Sequence, residues 1–349
     1  MKTIIQATNN RARLFASFMG LGALLTGQGV VQAQESVVLN YAFFAPAQSF
    51  PAVQMKHWAE EVEDRTDGLV SVNLFPGGTL LTANNMYDGV LSGVADIGLS
   101  ATSYEPGRFP LLNLAGTLPG QEVNSEVASQ MTFQLIQEFE EHMPAFDDLK
   151  VIAAFTSEPA YLQTLDPIRN LEDLEELEIR ISGDNSIALE ALGATAIGMS
   201  QTDAGEALQS GIIDGYAASR EVLMDLKFAR MAKYVTDYPL TNTLFVAAMS
   251  RDRWDSLPDD VRRVINDLAP EMSAFTGRYL DDHIQNSLEW AQDTQGVEIV
   301  SLSEAERERW NDRLSPVSET LLDNVEGQGL PAREFAQRMR ELTEKYRTP

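Results

Sequence analysis

The sequence predicts a two-domain α/β protein, and three observations carry that expectation. A chain of 349 residues is longer than a single hydrophobic core usually organises. A β-α-β-α-β pattern, the mark of a parallel sheet with helices on its faces, begins near residue 37 and again near residue 177. No Pro/Gly/Ser-rich linker lies between the two units, so the chain is expected to cross between domains more than once.

In the first unit, residues 37–44 read as a strand. Met55, Trp58, Ala59 and Val62 then recur at helical spacing, and Gly68 is placed to end that helix. Residues 69–75 alternate as a strand and stop at Pro76-Gly77-Gly78, a turn signal. Thr82 is a candidate cap for a helix reaching Gly93, and residues 95–100 give a third strand. In the second unit, 177–182 is a strand, 185–192 a helix closed by Gly193, and 195–199 a strand. A helix over 202–210, closed by Gly211, then precedes a strand over 212–216. The units share an architecture but no residue-level repeat. From 258 to about 296 an amphipathic helix places Val261, Val264, Ile265 and Leu268 on one stripe. Pro270 lacks the N–H that a helix interior needs and is expected to kink or interrupt it. Residues 304–346 are charged and helical in character.

Lys and Arg number 26 against 52 Asp and Glu, a net charge of −26. That balance argues against nucleic acid or an anionic membrane surface as partner, since both would be repelled at long range. It suits a soluble monomer. The chain has no cysteine, which excludes disulfides, thiolate catalysis, Cys-ligated zinc and a lipid anchor on an N-terminal Cys. Residues 1–33 read as a signal peptide: Lys2, Arg11 and Arg13 form a basic start, residues 14–31 are apolar or small, and Val31-Gln32-Ala33 offers small residues for cleavage after Ala33. Removal of these three cations would leave a mature chain of charge −29. No later stretch approaches the length of an apolar membrane span.

Catalytic constellations are scarce. His57, His142 and His283 are the three histidines and lie far apart in sequence. His57 and Glu60 would share a helix face, but a solvated surface position beside a buried Trp58 accounts for them. There is no GxSxG elbow, Gly-rich phosphate loop or HExxH motif. Carboxylate pairs carry little information among 52 acids. The sequence therefore reads as a non-enzyme with no catalytic residue, metal or cofactor.

Binding residues are more legible. In a strand over 177–182, Leu177, Ile179 and Ile181 share one face, and Glu178, Arg180 and Ser182 the other. Arg180 thus falls at the carboxyl end of a parallel strand, where open α/β sheets place their ligands, and its guanidinium matches a carboxylate bidentately. The alternative is a structural salt bridge to Glu175, Glu176 or another acid. Arg220 occupies an equivalent position after the strand ending at Tyr216, with an exposed cation at a helix start as its alternative. Residues 100–105, with Thr102 and Tyr104, either line a cleft or form a polar turn.

The run LEDLEELEIRISGDNSIALEALGATAIGMSQTDAGEALQSGIIDG over 171–215 resembles the signature of substrate-binding proteins of TRAP (tripartite ATP-independent periplasmic) transporters, in the dicarboxylate-receptor family. That signature has a DLxGxxIR strand, an LGA…PM strand and EVxxALQxGxVDG. FPGGTLL at 75–81, GVADIGLS at 93–100 and RDRWDSLPDDVRRVI at 251–265 are similar to further family motifs, in consistent order across nearly all of the mature chain.

The resemblance implies a clam-shell periplasmic binding protein whose two α/β lobes close on a ligand, with a long hinge-spanning helix around Pro270 to Trp290. Lobe I would comprise residues 34–157 plus 244–283, and lobe II residues 158–243 plus 284–349. The family's carboxylate-binding arginine falls on Arg180. Many members carry Gln-Glu-Asn after the VDG motif. Here the run is Tyr216-Ala217-Ala218-Ser219-Arg220, so Ala218 cannot replace the Asn, and Ser219 and Arg220 become the candidates. A second family arginine is replaced by the stretch Ala160-Tyr161-Leu162-Gln163, with Tyr161 and Gln163 as polar substitutes. A sialic-acid-like ligand fits poorly. A smaller or more aromatic anion fits better, walled by Phe43, Phe44, Tyr104, Tyr161 and Tyr216. The implied function is a periplasmic receptor that passes a small organic anion, a carboxylate first and a sulfonate as alternative, to TRAP membrane permease subunits. A periplasmic sensor subunit for a similar acid is the competing class.

Overall fold

The first sheet draws on strands whose side chains alternate between two buried faces. In a computed structural model that describes residues 36–105, 107–119, 123–183 and 186–347, it contains β1 (Val37–Phe43), β2 (Val70–Phe75), β3 (Ile97–Ala101), β4 (Leu149–Pro159) and β10 (Asn242–Ser250). Their order is β2-β1-β3-β10-β4, with β1 parallel to β2 and β3, and β10 antiparallel to β3 and β4. The period of two is visible along β10: Phe245, Ala247 and Met249 enter one core, while Leu244, Val246 and Ala248 enter the other.

The second sheet comprises β5 (Tyr161–Thr164), β6 (Glu178–Ile181), β7 (Thr195–Gly198), β8 (Gly215–Ala218), β9 (Tyr234–Thr236) and β11 (Glu298–Val300), in the order β11-β9-β5-β8-β6-β7. β6 runs parallel to both β7 and β8, and Arg180 stands in register between Ile197 and Tyr216. Ile179 and Ile181 enter one core and Tyr216 and Ala218 another. The last strand of the second unit starts at Gly215 rather than 212, because Ile212 lies in the exposed turn that follows the left-handed Gly211. The span read as one helix up to Gly93 is a 3-10 turn, Ala83–Asn85, followed by the helix Met86–Leu91. The helix expected over 185–192 is described from Ser186 to Leu192, its first residue lying outside the described residues. The proposed signal peptide, residues 1–33, also lies outside them.

Two short segments join the sheets side by side. Between β4 and β5, the Ala160 N–H donates to the Thr241 carbonyl at 2.6 Å, and the Leu240 N–H donates to the Ala160 carbonyl at 2.9 Å. The third crossing is the helix Asp259–Gln295, whose buried residues include Leu268 and Met272 in the first sheet's core and Ala291 beside β9. It is not interrupted at Pro270. Pro270 and Asn266, whose carbonyl would have met the missing N–H, both face solvent, so water can satisfy the freed oxygen.

The C-terminal segment packs against both sheets. In the helix Glu304–Glu326, Trp310, Leu314 and Val317 pack with the second sheet, whereas Leu322 and Val325 pack with the first. The helix Ala332–Arg347 then lies against the helices Ser125–Phe139 and Pro110–Thr117 of the first sheet. Its apolar residues Phe335, Met339 and Leu342 recur at helical spacing, and that core is where they are buried.

Candidate ligand-binding site

Between the carboxyl ends of β1, β6, β7 and β8 lies a cavity of about 60 Å³. Several times the roughly 10–15 Å³ that one water requires, it has room for a small molecule. Phe43, Phe44, Phe50 and Phe245 supply apolar wall from the first sheet, and Val222 and Leu226 from the second. The turn after β2 sets part of this wall. The Gly77 N–H donates to Ala45 O at 2.8 Å and the Gly78 N–H to Phe43 O at 3.1 Å, fixing the end of β1. Both glycines have positive φ, which the turn requires.

Arg180 is fully buried immediately behind this wall. Its Nε and Nη2 donate to the Met199 carbonyl at 3.0 and 2.8 Å, its Nη2 also donates to Tyr104 Oη at 3.0 Å, and its Nη1 donates to Gln201 Oε1. Among the described residues it makes no ion pair, and burial pulls its pKa downward. A buried guanidinium held by neutral oxygens retains an uncompensated charge.

Two donors connect that charge to the cavity. Tyr104 Oη accepts from Arg180 and, at 3.0 Å, from the Gln201 backbone N–H. With two donors on its oxygen, the phenol's own proton is left to donate. Guanidinium has no acceptor, so Gln201 must turn its Oε1 to Arg180 and its Nε2 away. That Nε2 is buried and has no hydrogen-bond partner among the described residues. Tyr104 and Gln201 both line the cavity.

The other expected residues divide. Phe43, Phe44, Tyr104 and Ser219 line the cavity. Thr102 is buried and donates to Asn113 Oδ1 at 2.6 Å outside it. Tyr216 donates its hydroxyl to Gln163 Oε1 at 2.7 Å, and Gln163 Nε2 donates to Ala218 O at 2.9 Å, so these two brace β8 from behind. Arg220 and Tyr161 face a separate polar cleft. There Arg220 grips Glu158 through Nε at 3.0 Å and Nη2 at 2.8 Å, with its guanidinium 3.9 Å from the centre of the Tyr161 ring. This is neither a ligand contact in the cavity nor the exposed cation that the sequence left open.

Sequence reasoning missed Gln201, Glu221 and Asp225, which all line the cavity. Gln201 follows β7 as Ser182 follows β6, so the same strand-end rule could have found it. Glu221 and Asp225 stand four residues apart, a spacing that was one among many in so acidic a chain. Burial, which the sequence does not display, distinguishes them: Glu221 is 5% and Asp225 7% exposed. Burial pushes the Glu221 carboxyl up to about 8, although Ser219 Oγ donates to it. Among the described residues no cluster of His, Asp and Glu is arranged to hold a metal, and no helix is long and apolar enough to cross a membrane.

Residues 41–324 match the family model described as bacterial extracellular solute-binding protein, family 7. A TRAP periplasmic solute-binding protein from Desulfovibrio salexigens is 40% identical, with a TM-score of 0.79 over 89% of this chain and 97% of that one. A TRAP solute-binding protein from Rhodoferax ferrireducens, solved with copurified benzoate, is 25% identical with a TM-score of 0.83 over 89% and 98% of the two chains. A marine metagenome TRAP solute-binding protein specific for aromatic acid ligands, solved with 3-hydroxybenzoate, is 26% identical with a TM-score of 0.84 over 89% and 99%.

Proposed function

Since the chain belongs to the bacterial extracellular solute-binding proteins of family 7, we propose that it is a TRAP receptor whose cavity captures a small organic carboxylate for a membrane permease. The observation that carries the ligand class is the uncompensated charge of Arg180, relayed to the cavity by the Tyr104 hydroxyl and the unpartnered Gln201 amide. A carboxylate oxygen entering beside Gln201 would replace a neutral amide oxygen on Nη1 by an anionic one, giving the buried guanidinium a counter-charge. The phenylalanine walls favour an aromatic or compact aliphatic body. The structural relatives solved with benzoate and 3-hydroxybenzoate support this reading. With a net charge of −26, capture depends on these local donors in a desolvated cleft rather than on long-range attraction.

Export belongs to the same proposal: residues 1–33 are removed as a signal peptide, and the mature receptor works in the periplasm as a monomer. A thermal-shift screen of residues 34–349 against small carboxylates and sulfonates tests the ligand class. A ligand at 100 times its Kd adds about 2.7 kcal/mol of stability, a visible rise in Tm. A sulfonate hit with no carboxylate hit would replace the proposed class, and no hit in either set would defeat it. Uptake of the hit into vesicles holding the cognate permease separates transport from a sensor role.

A further inference from the structure

The cavity has a second set of polar groups, and it has the opposite chemistry. Glu221 precedes and Asp225 ends the short helix Val222–Asp225, and both line the cavity with buried carboxyl groups. Asp225 Oδ1 lies 2.8 Å from His283 Nε2, on the helix that joins the two sheets. Its Oδ2 is buried and has no hydrogen-bond partner among the described residues. Glu221 receives the Ser219 hydroxyl and makes no ion pair among them. The neighbouring cation, Arg220, is committed to Glu158. Asp225 thus keeps a buried acceptor without a donor, whereas Tyr104 and Gln201 have unused donors.

We propose that the ligand is an organic acid bearing, besides its carboxylate, a second group that donates a hydrogen bond, an O–H or N–H, and that Glu221 and Asp225 accept from it. This rests on the carboxylate meeting Tyr104 and Gln201. A ligand without the second donor leaves the buried Asp225 Oδ2 unpaired, which costs about 1–3 kcal/mol. Sites built to bind a polar group discriminate sharply against analogues that lack it. Burial, aided by the charges of Glu158 and Asp225, pushes the Glu221 carboxyl up to about 8. The titratable groups that bear on Glu221 are Glu158, paired with Arg220, and Asp225, paired with His283.

Isothermal titration of residues 34–349 at pH 7 with two matched sets tests the inference. One set is benzoate, 3-hydroxybenzoate and 3-(aminomethyl)benzoate; the other is butyrate, 4-hydroxybutyrate and 4-aminobutyrate. In at least one set, a donor-bearing acid should bind about tenfold or more tighter than its donor-free parent, roughly 1.4 kcal/mol. That ratio should collapse towards one in Glu221→Leu. Repeating the titration in buffers of different ionisation enthalpy separates the donor types. An ammonium group draws the proton off Glu221 and releases it, whereas a hydroxyl group releases none. Parents that bind as tightly as their donor-bearing relatives overturn the inference and leave the carboxylate reading standing. A ratio that persists in Glu221→Leu also overturns it. Failure of all six acids to bind defeats the carboxylate reading itself, and the inference with it. The wild-type ratio stands alone if Glu221→Leu does not fold.

Discussion

The Tyr104 hydroxyl oxygen lies 3.0 Å from Nη2 of Arg180, joining the first sheet to the second across the cavity. The same oxygen takes the Gln201 backbone N–H, so one phenol ties the turn after β3 to both β6 and the turn after β7. The two sheets together thus assemble the donor group of the site. Neither sheet holds that group alone.

Replacing Arg180 should separate binding from stability. Arg180→Ala should lower affinity for the cognate acid at least about tenfold, or about 1.4 kcal/mol. Arg180→Lys should not restore it, because a point ammonium cannot reproduce the guanidinium fork that holds Met199, Gln201 and Tyr104 together. The buried charge has no counter-ion among the described residues, so Arg180→Met should leave the ligand-free Tm unchanged or higher. Calorimetric titration and thermal unfolding of the same preparations check both halves. Undiminished affinity in Arg180→Ala would remove Arg180 from the site.

The sequence displayed this part of the molecule well because its signals are local. Alternation in 177–182 put Arg180 on the polar face of a parallel strand, and β6 holds it there between Ile197 and Tyr216. The strand-end rule also pointed to Tyr104, and the family resemblance to Ser219; both line the cavity. What the rule could not show was which side of a strand end faces which cleft. Arg220 follows β8 directly after Ser219, yet Glu158 of β4 draws it into the polar cleft, a partner 62 residues away. The path of the last thirty residues was hidden for the same reason. Phe335, Met339 and Leu342 announce an amphipathic helix without naming the core that receives it. Glu221 and Asp225 were concealed by composition: acids are so frequent here that only burial distinguishes these two.

Gly183 should control how far the sheets can close. It follows β6 with φ of 48°, and a Cβ there would lie 1.7 Å from the Ser103 carbonyl oxygen beside Tyr104. Gly183→Val would hold the two segments apart and break the Tyr104–Arg180 contact. Affinity should fall at least about tenfold, while circular dichroism in the absence of ligand remains that of a folded α/β protein. Small-angle scattering should show that ligand compacts the wild type but not the variant. Equal compaction in both would show that the Ser103–Gly183 approach does not limit closure.

Arg220 should matter for stability rather than for ligand contact. Its bidentate grip on the buried Glu158 fastens β8 to the end of β4, next to the paired crossing segments. Arg220→Ala leaves that carboxylate buried without its counter-charge, holding only the residue-220 backbone N–H, a change that typically costs about 3 kcal/mol or more. A Tm lower by several degrees is expected. Removing both charges in Arg220→Met with Glu158→Leu should recover much of the loss. A double variant no more stable than Arg220→Ala would mean that the loss comes from the Tyr161 stack instead.

Glu221 should give the protein a pH dependence of opposite sign to that of an ordinary ion-paired carboxylate. Burial raises its pKa from the usual carboxylate range to about 8. Between those values the folded protein keeps a proton that the unfolded chain has released, so stability falls as pH rises. The contribution is complete below about pH 4.5 and is lost as the pH climbs to about 8. Over that window the loss approaches about 1.4 kcal/mol for each step of one in pH. Ligand-free Tm should therefore decline from pH 5 to 8 more steeply in the wild type than in Glu221→Gln, which has the same shape and no proton to lose. Glu158 and Asp225 are present in both proteins, so the difference between the two curves isolates Glu221. Parallel curves would mean that Glu221 is ionised in the folded protein at neutral pH.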